Sequence, residues 1–213
     1  RDRSVSRGLG DVYKRQGQLQ AIIVNSGNAN AVTGSIGVSH AESMQELTAQ
    51  QLNIDTSLVG VASTGIIGKV LPIDKIINGI KKLKIDGDTN GFAHAIMTTD
   101  TKEKSITVQS TIQGKIVTMS GVAKGSGMLH PNMATMLGFI TTDINIDAKL
   151  LQQALSEDVE TSFNQITIDG DTSTNDTVLV MANGLAGHKM IENHTAEYEQ
   201  FLSLIHISEP TRH

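Results

Sequence analysis

The stretch Ile106–Ile140, ITVQSTIQGKIVTMSGVAKGSGMLHPNMATMLGFI, decides how the chain folds. Within it, Ile106–Ser110 and Lys115–Met119 alternate apolar and polar residues, and Gln113-Gly114 between them predicts an antiparallel hairpin with a tight turn. A glycine-rich segment, Gly121–Pro131, separates the hairpin from an apolar run, Ala134–Ile140, that reads as a strand. Asp147 then precedes Leu150, Leu151, Ala154, Leu155, Val159 and Phe163, whose spacing predicts a capped helix. Hairpin, strand and helix in this order point to a mixed α/β (α+β) class.

Outward from this stretch the same alternation continues. Leu19–Val24 (LQAIIV) has the pattern of a short buried strand and runs into Asn25–Asn30, a polar cluster of small residues where backbone can approach a ligand. Ala41, Met44, Leu47 and Gln51 place a helix over Ser39–Leu52, and Val59–Ser63 reads as the next strand, ending at Thr64-Gly65. Pro72 suits the first turn of a helix on which Ile73, Ile76, Ile77, Ile80 and Leu83 form one apolar stripe. Toward the other end, Ile166–Ile168 reads as a short strand before the polar run Asp169–Asp176, while Thr177–Ala182 is too short for periodicity to separate strand from helix. With no repeat and no linker, the chain reads as one mixed α/β domain fragment.

Composition removes whole classes of function. The chain has 213 residues, 38% hydrophobic and 18% charged, with no run of 18 apolar residues, so neither a membrane-spanning helix nor a disordered chain is expected. The absence of cysteine excludes a disulfide scaffold, a thiolate nucleophile and Cys-ligated metal. The compartment stays open and leans cytoplasmic.

Arginine is confined to the extremes, at Arg1, Arg3, Arg7, Arg15 and Arg212. Codons can be chosen for Ser6–Gln16 whose complementary strand encodes LSLIHISEPTR, which is Leu202–Arg212. Residues 1–16 and 202–213 are therefore expected to be translated adapter DNA, not native protein. The remaining segment, 17–201, carries 11 Lys against 19 Asp and Glu, about −8, and few aromatic residues, so no nucleic-acid face is expected.

Candidate chemistry narrows by elimination. Gly121, Lys124, Gly125, Ser126 and Gly127 invite comparison with a phosphate loop, but Lys124 precedes the Gly-Ser-Gly, and the dinucleotide pattern would need Gly where His130 stands. Asp169–Asp176 begins like a calcium loop, then places Thr174 where Gly is required and Val180 where a bidentate Glu is required. It is left as either a self-bonded turn or a polar wall of a substrate site. His40, His94, His130, His188 and His194 show no metal-ligand spacing, so no metal and no bound cofactor are expected.

Four motifs in order then carry a resemblance: Asn25–Gly34 (NSGNANAVTG), Ser63–Gly68 (STGIIG), Val122–Asp143 (VAKGSGMLHPNMATMLGFITTD) and Asp169–Thr177 (DGDTSTNDT). Residues 17–201 resemble the ornithine acetyltransferase (glutamate N-acetyltransferase) family of arginine biosynthesis. The resemblance implies a layered α/β sandwich of N-terminal-nucleophile-like type, incomplete here. It also implies self-cleavage between Ala134 and Thr135, an α part at 17–134 and a β part at 135–201, and Thr135 as nucleophile. Thr64 and Gly65 would form the oxyanion hole, and Thr98, Lys124 and Thr135 would contact substrate. Against this, Thr64-Gly65 can be only a strand-end turn, Thr98 a helix-end hydroxyl and Lys124 a solvated lysine.

By the same resemblance the partners are N-acetylornithine and glutamate, acetyl-CoA is a possible co-substrate, and the intact protein is a heterotetramer of two α and two β chains. The family's later catalytic glutamate and its C-terminal asparagine and Ser/Thr contacts fall past Phe201, so this chain alone is expected to lack acetyltransferase activity. Two other readings stand beside it: an N-terminal-threonine hydrolase or aminopeptidase, in which water opens the acyl-enzyme, and a non-catalytic amino-acid-binding homologue.

Overall fold

A computed structural model describes residues 17–84, 89–125, 136–161 and 175–207, in two units that divide between Thr98 and Thr99. Ala134, Thr135, Phe163, the run Ile166–Ile168 and Asp169–Thr174 lie outside the described residues.

In the first unit β1 (Ala21–Asn25) and β2 (Val59–Ser63) pair in parallel, Ala21 opposite Val59 and Asn25 opposite Ser63. Parallel strands need a crossover, and α1 (Gly34–Leu52) supplies it. Met44 and Ala49 from α1 pack with Ile23, Val59, Leu71 and Ile80 in a small core. The helix starts five residues before the Ser39 expected from periodicity. Glycines hide that start: a side chain at Gly37 would overlap Thr33 and Asn30, whose hydroxyl and amide are joined by a 2.7 Å hydrogen bond. At the other end Asn53, in the left-handed region at φ +53°, returns its N–H to the carbonyls of Ala49 and Gln50.

Helix α2 (Ile73–Ile80) begins after Pro72 as expected, with Ile73, Ile76 and Ile80 turned to the core. The stripe does not extend to Leu83. The helix ends at Ile80, and Leu83 is 55% exposed, its carbonyl accepting from Gln51 Nε2 at 2.6 Å. A short α3 (Thr89–Ala95) follows.

The second unit holds a sheet in the order β3 (Lys104–Ile112), β4 (Lys115–Lys124), β5 (Leu137–Thr142), β6 (Thr177–Ala182). The hairpin turns on Gln113-Gly114, both with positive φ (+50° and +73°), the geometry that matches the twist of flanking strands. β5 runs antiparallel to β4, and β6 runs parallel to β5 after α4 (Ala148–Thr161). Thr177–Ala182, ambiguous in sequence, is therefore a strand, decided by its backbone pairing with β5. Asp147 caps α4 as expected, its carboxylate accepting from the N–H groups of Lys149 and Leu150 at 2.9 and 3.2 Å. Helix α5 (Ala196–Ile207) does not stop at Phe201: Tyr198, Phe201, Leu204 and Ile205 share the core with Ile112, Val117, Met119, Ile140 and Ile144. The apolar spacing of the codon-mirrored tail thus fits a helix face.

Ile140 is buried at the centre of that core. Ile140→Ala is expected to destabilise the second unit by about 2–5 kcal/mol, the range for buried aliphatic truncation, and urea unfolding followed by circular dichroism checks it.

Candidate functional site

In the first unit the ends of β1 and β2 continue into two loops that lock together. Thr64 N–H donates to Asn25 O (3.0 Å), Ile66 N–H to Gly27 O (3.2 Å), Ala29 N–H to Ile66 O (3.0 Å) and Gly68 N–H to Ala31 O (3.0 Å). Asn30 N–H donates to Ser63 Oγ (2.7 Å), and Ser26 Oγ donates to Ala95 O (2.5 Å). The sequence suggested that backbone could approach a ligand at 25–30; in the structure the loop of Gly65 packs against Gly27 and Asn28. Gly65 has φ +125°, and a Cβ there would stand 2.5 Å from Gly27 O and 2.7 Å from Asn28 N. Only glycine fits.

This lock leaves particular donors over. The N–H groups of Thr64 and Ile66 are engaged, whereas that of Gly65 between them has no backbone acceptor among the described residues. Thr64 is 1% exposed and its hydroxyl has no hydrogen-bond partner among them. Asn25 Oδ1 is likewise unmatched, while its Nδ2 donates to Asn28 O at 2.8 Å. An unmatched buried hydroxyl costs about 1–3 kcal/mol, and here it stands beside an N–H with no backbone acceptor among the described residues. Two donors from adjacent residues suit an oxyanion.

In the second unit Lys124 closes β4 opposite Leu137 and is 1% exposed. It is not a solvated lysine. Burial pushes its ammonium below the usual lysine range, the carboxylates of Asp100 and Asp176 pull it back up, and Lys104 adds to the depression. Asp100 Oδ1 accepts from the N–H of Gly125 at 2.8 Å, and Asp176 Oδ1 accepts from the N–H of Met136 at 2.7 Å. Two aspartates therefore hold the backbone immediately after Lys124 and immediately after Thr135.

Thr98 is exposed beyond the end of α3 and is the last residue of the first unit. Thr64 and Gly65 adjoin one another in the first unit, and Lys124 lies in the second. Sequence reasoning singled out neither Asp100 nor the anchoring role of Asp176. Asp100 adjoins Thr99 in the segment MTTD, and its i,i+4 spacing to Lys104 was the one available signal. Among the described residues no group of three or more His, Asp or Glu could hold a metal ion, and no helix is long and apolar enough to cross a membrane.

The ArgJ family model matches residues 8–208. The chain is 56% identical over 192 residues to the arginine biosynthesis bifunctional protein ArgJ of Streptococcus thermophilus, covering 90% of this chain and 48% of that protein. It is 56% identical over 195 residues to the protein of the same name from Listeria monocytogenes, covering 91% and 49%. Among solved structures it resembles the arginine biosynthesis bifunctional protein of Bacillus halodurans, with 47% identity, TM-score 0.57 and coverage of 62% of this chain and 73% of that one. It also resembles the ornithine acetyltransferase of Mycobacterium tuberculosis complexed with ornithine, with 33% identity, TM-score 0.51 and coverage of 61% and 72%. The chain spans about half the length of the curated relatives it matches.

Proposed function

The chain belongs to the ArgJ family, and from that premise we propose that its full-length form transfers an acetyl group from N-acetylornithine to glutamate through an acetyl-threonine intermediate. The observation that carries the reading is a pair of adjacent donors, the buried Thr64 hydroxyl and the half-buried Gly65 N–H, that have no partner among the described residues and stand where two loops lock together.

The chemistry starts with a peptide bond. The Thr135 hydroxyl attacks the Ala134 carbonyl, the C–N bond breaks as the C–O bond forms, and water hydrolyses the resulting ester. An amide nitrogen is no base, but the liberated α-amine has an ordinary pKa of about 7.7 to 8.0 and can take the proton of its own residue's hydroxyl. Thr135 Oγ then attacks the acetyl carbonyl of N-acetylornithine, negative charge develops on the carbonyl oxygen, and the Thr64 hydroxyl and Gly65 N–H receive it. The proton held by the α-amine passes to the departing ornithine nitrogen. The amine of glutamate next attacks the acetyl ester, releasing N-acetylglutamate and restoring Thr135. One amide is exchanged for another, so the cycle needs no activated donor and no bound cofactor; acetyl-CoA would enter as an alternative acetyl source at the first step.

Lys124, a compact ammonium, is the proposed partner of the substrate carboxylate, with Thr98 a second contact. The assembled protein is proposed to contain two α and two β chains in the cytoplasm. Product analysis with N-acetylornithine and glutamate tests the reading: acetylglutamate with ornithine supports transfer, acetate alone indicates a threonine hydrolase, and no product indicates a binding protein.

Thr64→Val separates stability from function at one position. It removes a buried hydroxyl that has no partner among the described residues, so unfolding free energy is expected to stay level or rise, by up to about 1 kcal/mol. Acetyl transfer is expected to fall about 10²-fold or more, as for loss of one oxyanion donor. Thermal unfolding and kcat measured on the same full-length preparation check both.

A further inference from the structure

Asp100 has no part in the chemistry above, yet its side chain is only 1% exposed. Its Oδ1 accepts from Lys104 Nζ at 2.8 Å and from the N–H of Gly125 at 2.8 Å. Lys104 Nζ reaches on to the carbonyl of Gly125, at 3.0 Å. One ion pair therefore grips both polar groups of a single residue, and that residue follows Lys124 directly. Gly125 has φ +155°, so the chain leaves β4 in a conformation that side chains disfavour and the ion pair holds. Exposed i,i+4 pairs contribute little; a pair buried this far carries a desolvation cost and is best explained by the register it fixes.

On the reading that Lys124 binds the substrate carboxylate, we propose that Asp100 is a positioning residue for Lys124: with Lys104 it clips the N–H and carbonyl of Gly125, fixing the backbone from which Lys124 starts.

The sign of the effect distinguishes this role from simple structural support. Among the described residues, the charged groups acting on Lys124 are Asp100 and Asp176, which favour the ammonium, and Lys104, which opposes it, all against a larger effect of burial. Deleting the Asp100 charge must let Lys124 lose its proton at lower pH. A merely structural role has the opposite consequence, because loosened packing admits water, relieves burial and moves the titration up toward the ordinary lysine value.

The test follows the ¹³Cε resonance of Lys124 against pH in ¹³C-lysine-labelled chain, assigned with Lys124→Arg. In Asp100→Asn its midpoint is expected to fall. An unmoved or rising midpoint overturns the proposal. Should Asp100→Asn fail to fold, Lys104→Met keeps the carboxylate and its bond to Gly125. There the midpoint is expected to rise and the Gly125 amide to stay slow in hydrogen exchange; a falling midpoint or a fast-exchanging amide overturns it. In the full-length protein, Asp100→Asn is also expected to raise KM for N-acetylornithine about tenfold with kcat changed less than about threefold, and lost kcat at constant KM counts against it. The titration needs no turnover, so absence of acetyl transfer from the full-length protein sinks the acetyltransferase reading and leaves the clip to stand or fall on the NMR result.

Discussion

Thr135→Ala in the full-length protein is expected to leave the chain uncut between residues 134 and 135 and to lower acetyl transfer about 10⁴-fold or more, the scale of loss when a covalent nucleophile is removed. The effect is large because one substitution cancels two functions. Without the hydroxyl no ester forms at the Ala134 carbonyl, so the α-amine that would act as base is never released. Even a chain cut there by other means would lack the oxygen that carries acetyl. Thr135→Ser should separate the two, since a primary hydroxyl attacks at least as readily and restores both cleavage and transfer. Intact mass spectrometry reads the outcome directly, as two chains or one, and with N-acetylornithine as an acetyl group on the fragment that begins at residue 135. Transfer at full rate by Thr135→Ala, cut or uncut, would remove the covalent mechanism altogether.

What the sequence made legible was whatever depends on near neighbours. The Gln113-Gly114 turn, the Asp147 cap and the Pro72 helix start are each set by two or three adjacent residues, and each stands in the structure where it was expected. The misses share the opposite property. The first turn of α1 escaped detection because Gly34 and Gly37 weaken helical periodicity, and Gly37 is required by the side chains of Thr33 and Asn30 folded against it. Leu83 kept the spacing of the stripe after the helix had ended at Ile80, and periodicity alone does not register where a helix stops. Thr177–Ala182 became a strand through pairing with β5, some forty residues away in sequence.

The site divides along the same line. Thr64 and Gly65 could be named from a motif, but the geometry that leaves their donors without partners among the described residues arises from contacts with Asn25 and Gly27, about forty residues earlier. Lys124 could still be read as a solvated lysine until β5 and the two aspartates were in place. Asp100, which grips Gly125 from twenty-five residues away, carries no motif of its own.

Gly65 is where the fold and the proposed chemistry meet most tightly, and Gly65→Ala has the second largest expected effect. The new methyl would stand 2.5 Å from the Gly27 carbonyl oxygen and 2.7 Å from the Asn28 nitrogen, both backbone atoms that no rotamer change can move aside. The two loops must separate, and the bonds from Ile66 to Gly27 and from Ala29 to Ile66 that lock them are the ones strained first. Displacing the Gly65 N–H would remove one of the two proposed oxyanion donors, so kcat is expected to fall about 10²- to 10³-fold. Gly68→Ala provides the comparison that isolates this cause. Gly68 also has positive φ (+78°) and lies in the same loop, but a Cβ there meets nothing within 4 Å. It should lose only the left-handed strain, about 1–2 kcal/mol of stability, with kcat within about threefold of the parent. Both variants carry backbone strain and only one disturbs the contact with Gly27, so equal losses of turnover in the two would show that the loop, and not the Gly65 donor, governs the rate.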